Sequence, residues 1–216
     1  MVPDSSSPPL PSHILLPLIR STRLLPVYMP PATVIGLAHH LSTGHFDTVI
    51  EWGSGGSTIL AVALGIPQII SVETDPSWSA RVRGIAADSF PEDSLNLDLR
   101  GFDCGPVGPW GYPRDQLSAE RVRDYVNEGL QHASRERTLY LVDGRYRLAC
   151  MTSILSILEP TSIAILDDYR PRPAYWLLDK YQIPDGFLGH AAVYEASERS
   201  PATQPSLDAE WWMNPA

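Results

Sequence analysis

Between Thr48 and Asp75 the chain runs TVIEWGSGGSTILAVALGIPQIISVETD. Val49 and Ile50 lead into a turn that holds Gly53, Gly55 and Gly56, and a second apolar run, Ile69 to Val72, ends on Glu73. Glycines let backbone N–H groups approach a ligand, and the N-terminus of a following helix adds positive potential. An acid about 20 residues on, at the tip of the second strand, suits a pair of ribose hydroxyls. The pattern predicts a site for a nucleoside-containing cofactor. The dinucleotide fingerprint needs a third glycine, five residues after the first. That place holds Thr58, which counts against NAD.

A second constellation lies downstream. Asp143 follows the apolar run Leu139 to Val142, and Asp167 and Asp168 follow Ile163 to Leu166. If those runs are neighbouring strands, three carboxylates converge. Like charges so close raise one another's pKa unless a cation offsets them. Oxygen-rich clusters suit Mg²⁺ or Ca²⁺. Arg145, Arg147 and Arg170 stand close enough in sequence to offset them instead, by bidentate pairing. Trp110, Tyr112, Arg145 and Tyr169 are candidates for contacting a substrate, and Arg170 and Arg172 for an acidic one. His39 and His40 have an ordinary pKa near neutrality, so His40 is a candidate general base, although a surface helix histidine is the commoner situation.

The elements that must position these residues read as alternating strands and helices. Pro31 suits the first turn of a helix to about Leu41, and further helices are expected over Ser77 to Ala87, from a Ser118 cap to Gln131, over Arg147 to Leu158, and over Tyr175 to Tyr181. Strands are expected at Leu95 to Asp103 and Gly189 to Tyr194, besides the four apolar runs above. Alternation of this kind implies an α/β fold with a Rossmann-like, doubly wound and mostly parallel sheet. Ligands then bind beyond the carboxyl ends of the strands, where Glu51, Glu73, Asp103, Asp143, Asp167 and Asp168 stand. The serine- and proline-rich segment 1–30 is expected to be disordered at its start and to dock through Ile14 to Leu25, on the domain or on a second subunit as a homodimer. Residues 31–196 form the domain, and 197–216 a polar tail with Trp211 and Trp212 near its end.

The string Glu51-Trp52-Gly53-Ser54-Gly55 resembles motif I of class I S-adenosylmethionine (SAM)-dependent methyltransferases. The resemblance spans about residues 46 to 195. It implies SAM as cofactor, held by Glu51, Gly53, Ser54, Gly55, Ser57 and Glu73, with Asp103 at the adenine. The segments LVDGRYR and ILDDY are similar to metal-dependent O-methyltransferases, in which acids after the fourth and fifth strands hold Mg²⁺ against the acceptor oxygens. That similarity implies Asp143, Asp167 and Asp168 as metal ligands, with Asp143 and Asp168 at the chemistry and a hydroxyl oxygen as acceptor. The lysine base of the catechol type is missing; Arg145, Tyr146 and Arg147 fill the places after the first acid. The loop DCGPVGPWGYP is similar to one in small bacterial methyltransferase-like proteins. A NAD-dependent oxidoreductase and a non-catalytic binding protein of the same fold are the alternatives.

Composition narrows the class. A net charge of −9 opposes a nucleic-acid or anionic-membrane surface, which needs clustered cations, and so points to a small-molecule substrate. Two cysteines, Cys104 and Cys150, make no disulfide framework, so a reducing cytoplasm is expected. No apolar run reaches bilayer length, and Arg20 and Arg23 follow the short run Ile14 to Ile19 where a signal peptide would place small residues.

Overall fold

The computed structural model describes residues 11–91, 96–131 and 137–196. The expected disorder at the start of the chain and the tail from Ser197, with its two tryptophans, lie outside them. Seven strands form one sheet: β1 (Thr48–Trp52), β2 (Gln68–Glu73), β3 (Leu97–Gly101), β4 (Thr138–Val142), β5 (Ile163–Leu166), β6 (Gly186–Leu188) and β7 (Ala191–Glu195). Their order is β3-β2-β1-β4-β5-β7-β6. The first five run parallel, and β7 is antiparallel to both β5 and β6.

Strand chemistry explains the layers. β1 and β4 are buried along their whole length. Because side chains alternate across a strand, Val49, Leu139 and Leu141 face one core and Ile50, Trp52, Tyr140 and Val142 the other. Helices α1 (Ser12–Leu24), α2 (Pro31–Thr43), α3 (Gly56–Ala63) and α4 (Pro76–Ser89) contribute to the first core. Helices α5 (Ala119–Leu130) and α6 (Arg147–Leu155) and a 3₁₀ helix (Pro173–Lys180) cover the second. Sheets buried on both faces need such continuous apolar strands.

Most expected elements form close to their predicted bounds. Asp75 caps α4, accepting from the backbone of Ser77 and Trp78. Ser118 caps α5. Two expectations need correction. The last strand starts at Ala191, and an additional short strand precedes it: Gly189 and His190 form a two-residue hairpin loop, for which Gly189 at φ +58° is suited. The helix expected over Tyr175 to Tyr181 is the 3₁₀ helix. Helix α1 runs through Pro17 and docks on its own domain, burying Ile14 and Leu18 mainly against α3. No helix among the described residues is long and apolar enough to cross a membrane.

Strand order reverses between β1 and β4. β2 and β3 extend one way from that point, and β5 the other. A cleft of about 560 Å³ opens there, at the carboxyl ends of the strands, within the size range of small-molecule sites.

Candidate active site

The floor of the cleft is two loops packed back to back. Gly53, at φ +98°, begins the turn after β1, and a Cβ there would lie 2.6 Å from the backbone nitrogen of Gly144. Gly144, after β4, is equally confined: its Cβ would lie 2.7 Å from the nitrogen of Gly53. Gly53 was legible from sequence, whereas Gly144 becomes meaningful only once β1 and β4 are known to pair.

Glu51 departs from the sequence reading. It is fully buried and lies behind the turn, not on the cleft. Its carboxylate accepts from the hydroxyls of Ser57 (2.8 Å), Ser71 (2.8 Å) and Thr58. The Thr58 hydroxyl also accepts from the Gly55 N–H at 2.8 Å. Glu51 therefore shapes the glycine turn from behind. Burial raises its carboxyl to about 7, against the hydroxyl donors, which lower it. The folded chain thus keeps a proton that the unfolded chain releases near its ordinary value of 4.5. The stability this proton confers is complete below that value, declines as pH rises to about 7, and is then lost. Glu51→Gln should flatten the fall in urea midpoint between about pH 5 and about pH 8. An unchanged slope would assign the pH dependence to other groups.

Glu73 stands where the sequence put it, at the cleft edge of β2. Backbone N–H groups of Ser54, Thr74 and Asp75 donate to its two oxygens at 3.1, 2.7 and 2.9 Å. The hydroxyls of Ser54 and Thr74 complete the set at 3.1 and 3.4 Å. Burial pushes the carboxyl up, and these donors pull it back. Gly55 and Ser57 also line the cleft, as does Trp78, whose indole N–H donates to the Ser54 carbonyl at 2.7 Å.

Two segments close over the mouth. The loop after β3 is pinned by Gly111, at φ +70°, whose carbonyl accepts from the Thr74 hydroxyl at 2.9 Å. Pro26 to Tyr28 lie directly on the turn: a Cβ on Gly56 would meet the Pro26 carbonyl oxygen at 2.5 Å. Tyr28 and Trp110, both largely exposed, meet edge to face with ring centres 5.7 Å apart. Trp110 and Tyr112 line the cleft as expected. Val27 and Tyr28 were missed, because nothing local marks a proline-rich segment as the wall of a distant turn.

At the ends of β4 and β5 the expected acids converge. Asp143, Asp167 and Asp168 all line the cleft, and Arg147 lies among them. It donates to Asp143 Oδ1 at 2.7 Å and approaches Asp168 Oδ2 at 3.5 Å. It also bonds the carbonyls of Asp143, Gly144 and Asp167 at 2.7, 3.0 and 2.9 Å. Arg172 pairs with Asp168 at 3.1 Å. The Asp143 and Asp167 carboxyls lie close enough to influence each other's titration. Burial is the main cause of a raised Asp143 pKa, with Arg147 opposing it and Asp167 adding to it. The 28% of the Asp143 side chain that still meets cleft water moderates the rise.

Three further candidates lie off the cleft. Asp103 turns back to accept from the Gly105 N–H at 2.9 Å. His40, on α2, is flanked by His39 and Glu195. The Tyr169 hydroxyl is taken by Asp179. None of the three lines the cavity. Cys104 and Cys150 are buried and free.

The residues fit a sulfonium nucleoside and fit a divalent metal poorly. Backbone donors fix the Glu73 carboxylate, and hydroxyls complete its shell. A ribose diol offers two hydroxyls for the same role. A Cβ on Gly55 would meet nothing closer than the Trp78 ring at 3.9 Å, so that position opens on unfilled space. At the acids, by contrast, guanidinium groups already engage Asp143 and Asp168. Among the described residues no group of three ligating side chains is arranged to hold a metal ion. This corrects the expected Mg²⁺ set of Asp143, Asp167 and Asp168: arginine supplies the compensating charge.

No protein-family model matches the chain. A methyltransferase-like protein from Silicibacter pomeroyi superposes with a TM-score of 0.72 at 26% identity, over 89% of this chain and 98% of that one. The ribosomal RNA small subunit methyltransferase A of Rhodococcus opacus is 35% identical over 82 residues, 38% of this chain and 28% of that protein. The chain thus spans under a third of that curated relative. With its strand order, its glycine turn and its likeness to a methyltransferase-like structure over nearly the whole of both chains, the protein has the Rossmann-like fold of the class I SAM-dependent methyltransferases.

Proposed function

We propose that this protein transfers a methyl group from SAM to a hydroxyl oxygen of a small-molecule acceptor, without a divalent metal. One observation carries the reading: a single cleft joins the glycine turn and Glu73 to Asp143 and its arginine neighbours. SAM supplies an electrophilic methyl group on a sulfonium. Glu73 binds the ribose hydroxyls, and the Gly53–Gly55 backbone lies against the cofactor. Asp143 takes the acceptor's hydroxyl proton on a carboxylate oxygen. Arg147, bonded to three carbonyls as well as to Asp143, holds that carboxylate in place. Tyr28 and Trp110 restrict water at the mouth. Alignment of the acceptor then supplies much of the acceleration.

The Rhodococcus relative acts on ribosomal RNA by its name. This chain's net charge of −9 favours a small molecule instead. Thr58 favours SAM over NAD: it stands at the third-glycine place and is committed to Glu51 and the Gly55 N–H.

Release of S-adenosylhomocysteine (SAH) from SAM, measured over a panel of phenols and hydroxy acids in excess chelator, tests the reading. Turnover with at least one acceptor, undiminished by chelator, is expected. Activity that chelator abolishes and Mg²⁺ restores would contradict the arginine-compensated site.

A further inference from the structure

Arg145 is a buried cation without a carboxylate. It follows β4 on the cleft wall, retains only 7% exposure, and its Nη1 has no hydrogen-bond partner. Among the described residues no acid lies within ion-pairing distance of it, whereas Arg147 and Arg172 both reach Asp168. Its guanidinium lies 4.0 Å from the centre of the Tyr112 ring. A cation–π contact offsets only part of the desolvation of a buried ion. Buried polar groups left unsatisfied are rare, and they call for an explanation such as a ligand.

The surroundings point the same way. Arg145, Arg172 and Tyr112 all line the cleft. Burial alone would raise the Tyr112 hydroxyl, yet Arg145 and Arg172 beside it bring it below the usual tyrosine range. Two of the three acids at the ends of β4 and β5 already have guanidinium partners. Asp143 is engaged by Arg147, and Asp168 by Arg147 and Arg172. A planar guanidinium matches the paired oxygens of a carboxylate or phosphate, and such bonds are among the strongest a side chain makes.

We propose that the acceptor is an acid: a small molecule bearing a carboxylate or phosphate group that Arg145 binds, with Arg172 and Tyr112, while the acceptor hydroxyl lies at Asp143. This inference rests on the methyltransferase reading and names its substrate class. An anchored anion fixes the acceptor in register with the base. It also explains how a protein with a strong negative balance selects a negative ligand, since the attraction is local to the desolvated wall.

Calorimetry on the full chain saturated with SAH tests it, using benzoate, phenyl phosphate and benzamide as probes. One of the two anions should bind at least about tenfold tighter than benzamide, as expected for a charge-assisted pair. Preference for benzoate or for phenyl phosphate tells carboxylate from phosphate. Arg145→Gln should remove the preference and leave SAH affinity unchanged. Arg172→Gln, at a more exposed position, should weaken it and serves if the first variant does not fold. Equal binding of all three probes, no anion binding, or a preference that survives both variants would overturn the proposal. The probes are also titrated without SAH. Failure of SAH to bind refutes the methyltransferase reading, whereas SAH binding without anion preference refutes only the acidic acceptor.

Discussion

Asp143→Asn is expected to lower turnover by about 10²–10⁴-fold, the usual contribution of a positioned general base. The substitution keeps the size of the side chain and leaves Arg147 anchored on the carbonyls of Asp143, Gly144 and Asp167. The clamp therefore survives while the proton acceptor is lost. SAH affinity should change by no more than about twofold, because Asp143 acts on the acceptor and not on the cofactor. The wild-type rate should rise with pH through a limb displaced upward from the ordinary carboxylate range, since burial raises the Asp143 carboxyl. That limb should vanish in the variant. Retention of more than roughly a tenth of the wild-type rate would remove Asp143 from the chemistry.

Gly55→Val should weaken SAH binding by more than about 100-fold, or roughly 3 kcal/mol, in a protein that still folds. The backbone at Gly55 is extended, at φ 168°, so a side chain brings no strain there. Its Cβ would meet only the Trp78 ring, at 3.9 Å. The branched side chain would project into the space assigned to the cofactor. Gly53, two residues earlier, differs in kind. Its positive φ and its approach to Gly144 make it a folding requirement, so its loss cannot separate binding from stability. Unchanged SAH affinity in folded Gly55→Val protein would show that the cofactor lies elsewhere.

What the sequence disclosed and what it hid divide along the range of the interactions. The glycine turn, the apolar runs of β1, β2, β4 and β5, and the acids that end them are local signals. Each carried over into the structure within a few residues. The convergence of Asp143, Asp167 and Asp168 followed from one further step, the adjacency of β4 and β5. The role of Glu51 was misread because an acid beside a glycine turn can face either side of a strand. Its alternation with Trp52 and its pairing opposite Ser71 turn it away from the cleft. The docking of Pro26 to Tyr28 on Gly56 joins segments far apart in the chain and has no local signature. Likewise, the sequence offered arginine and metal as equal ways to neutralise the acids. Only the distances from Arg147 and Arg172 to the carboxylates separate them.

The central claim is that the cleft between β1 and β4 binds a SAM-type nucleoside. Calorimetric titration of the purified chain with SAH, and in parallel with NADH, tests it most directly. Saturable one-site binding of SAH, its loss in Gly55→Val, and no saturable binding of NADH are expected. Absence of SAH binding by the folded wild-type chain, or NADH binding of equal strength, would contradict it.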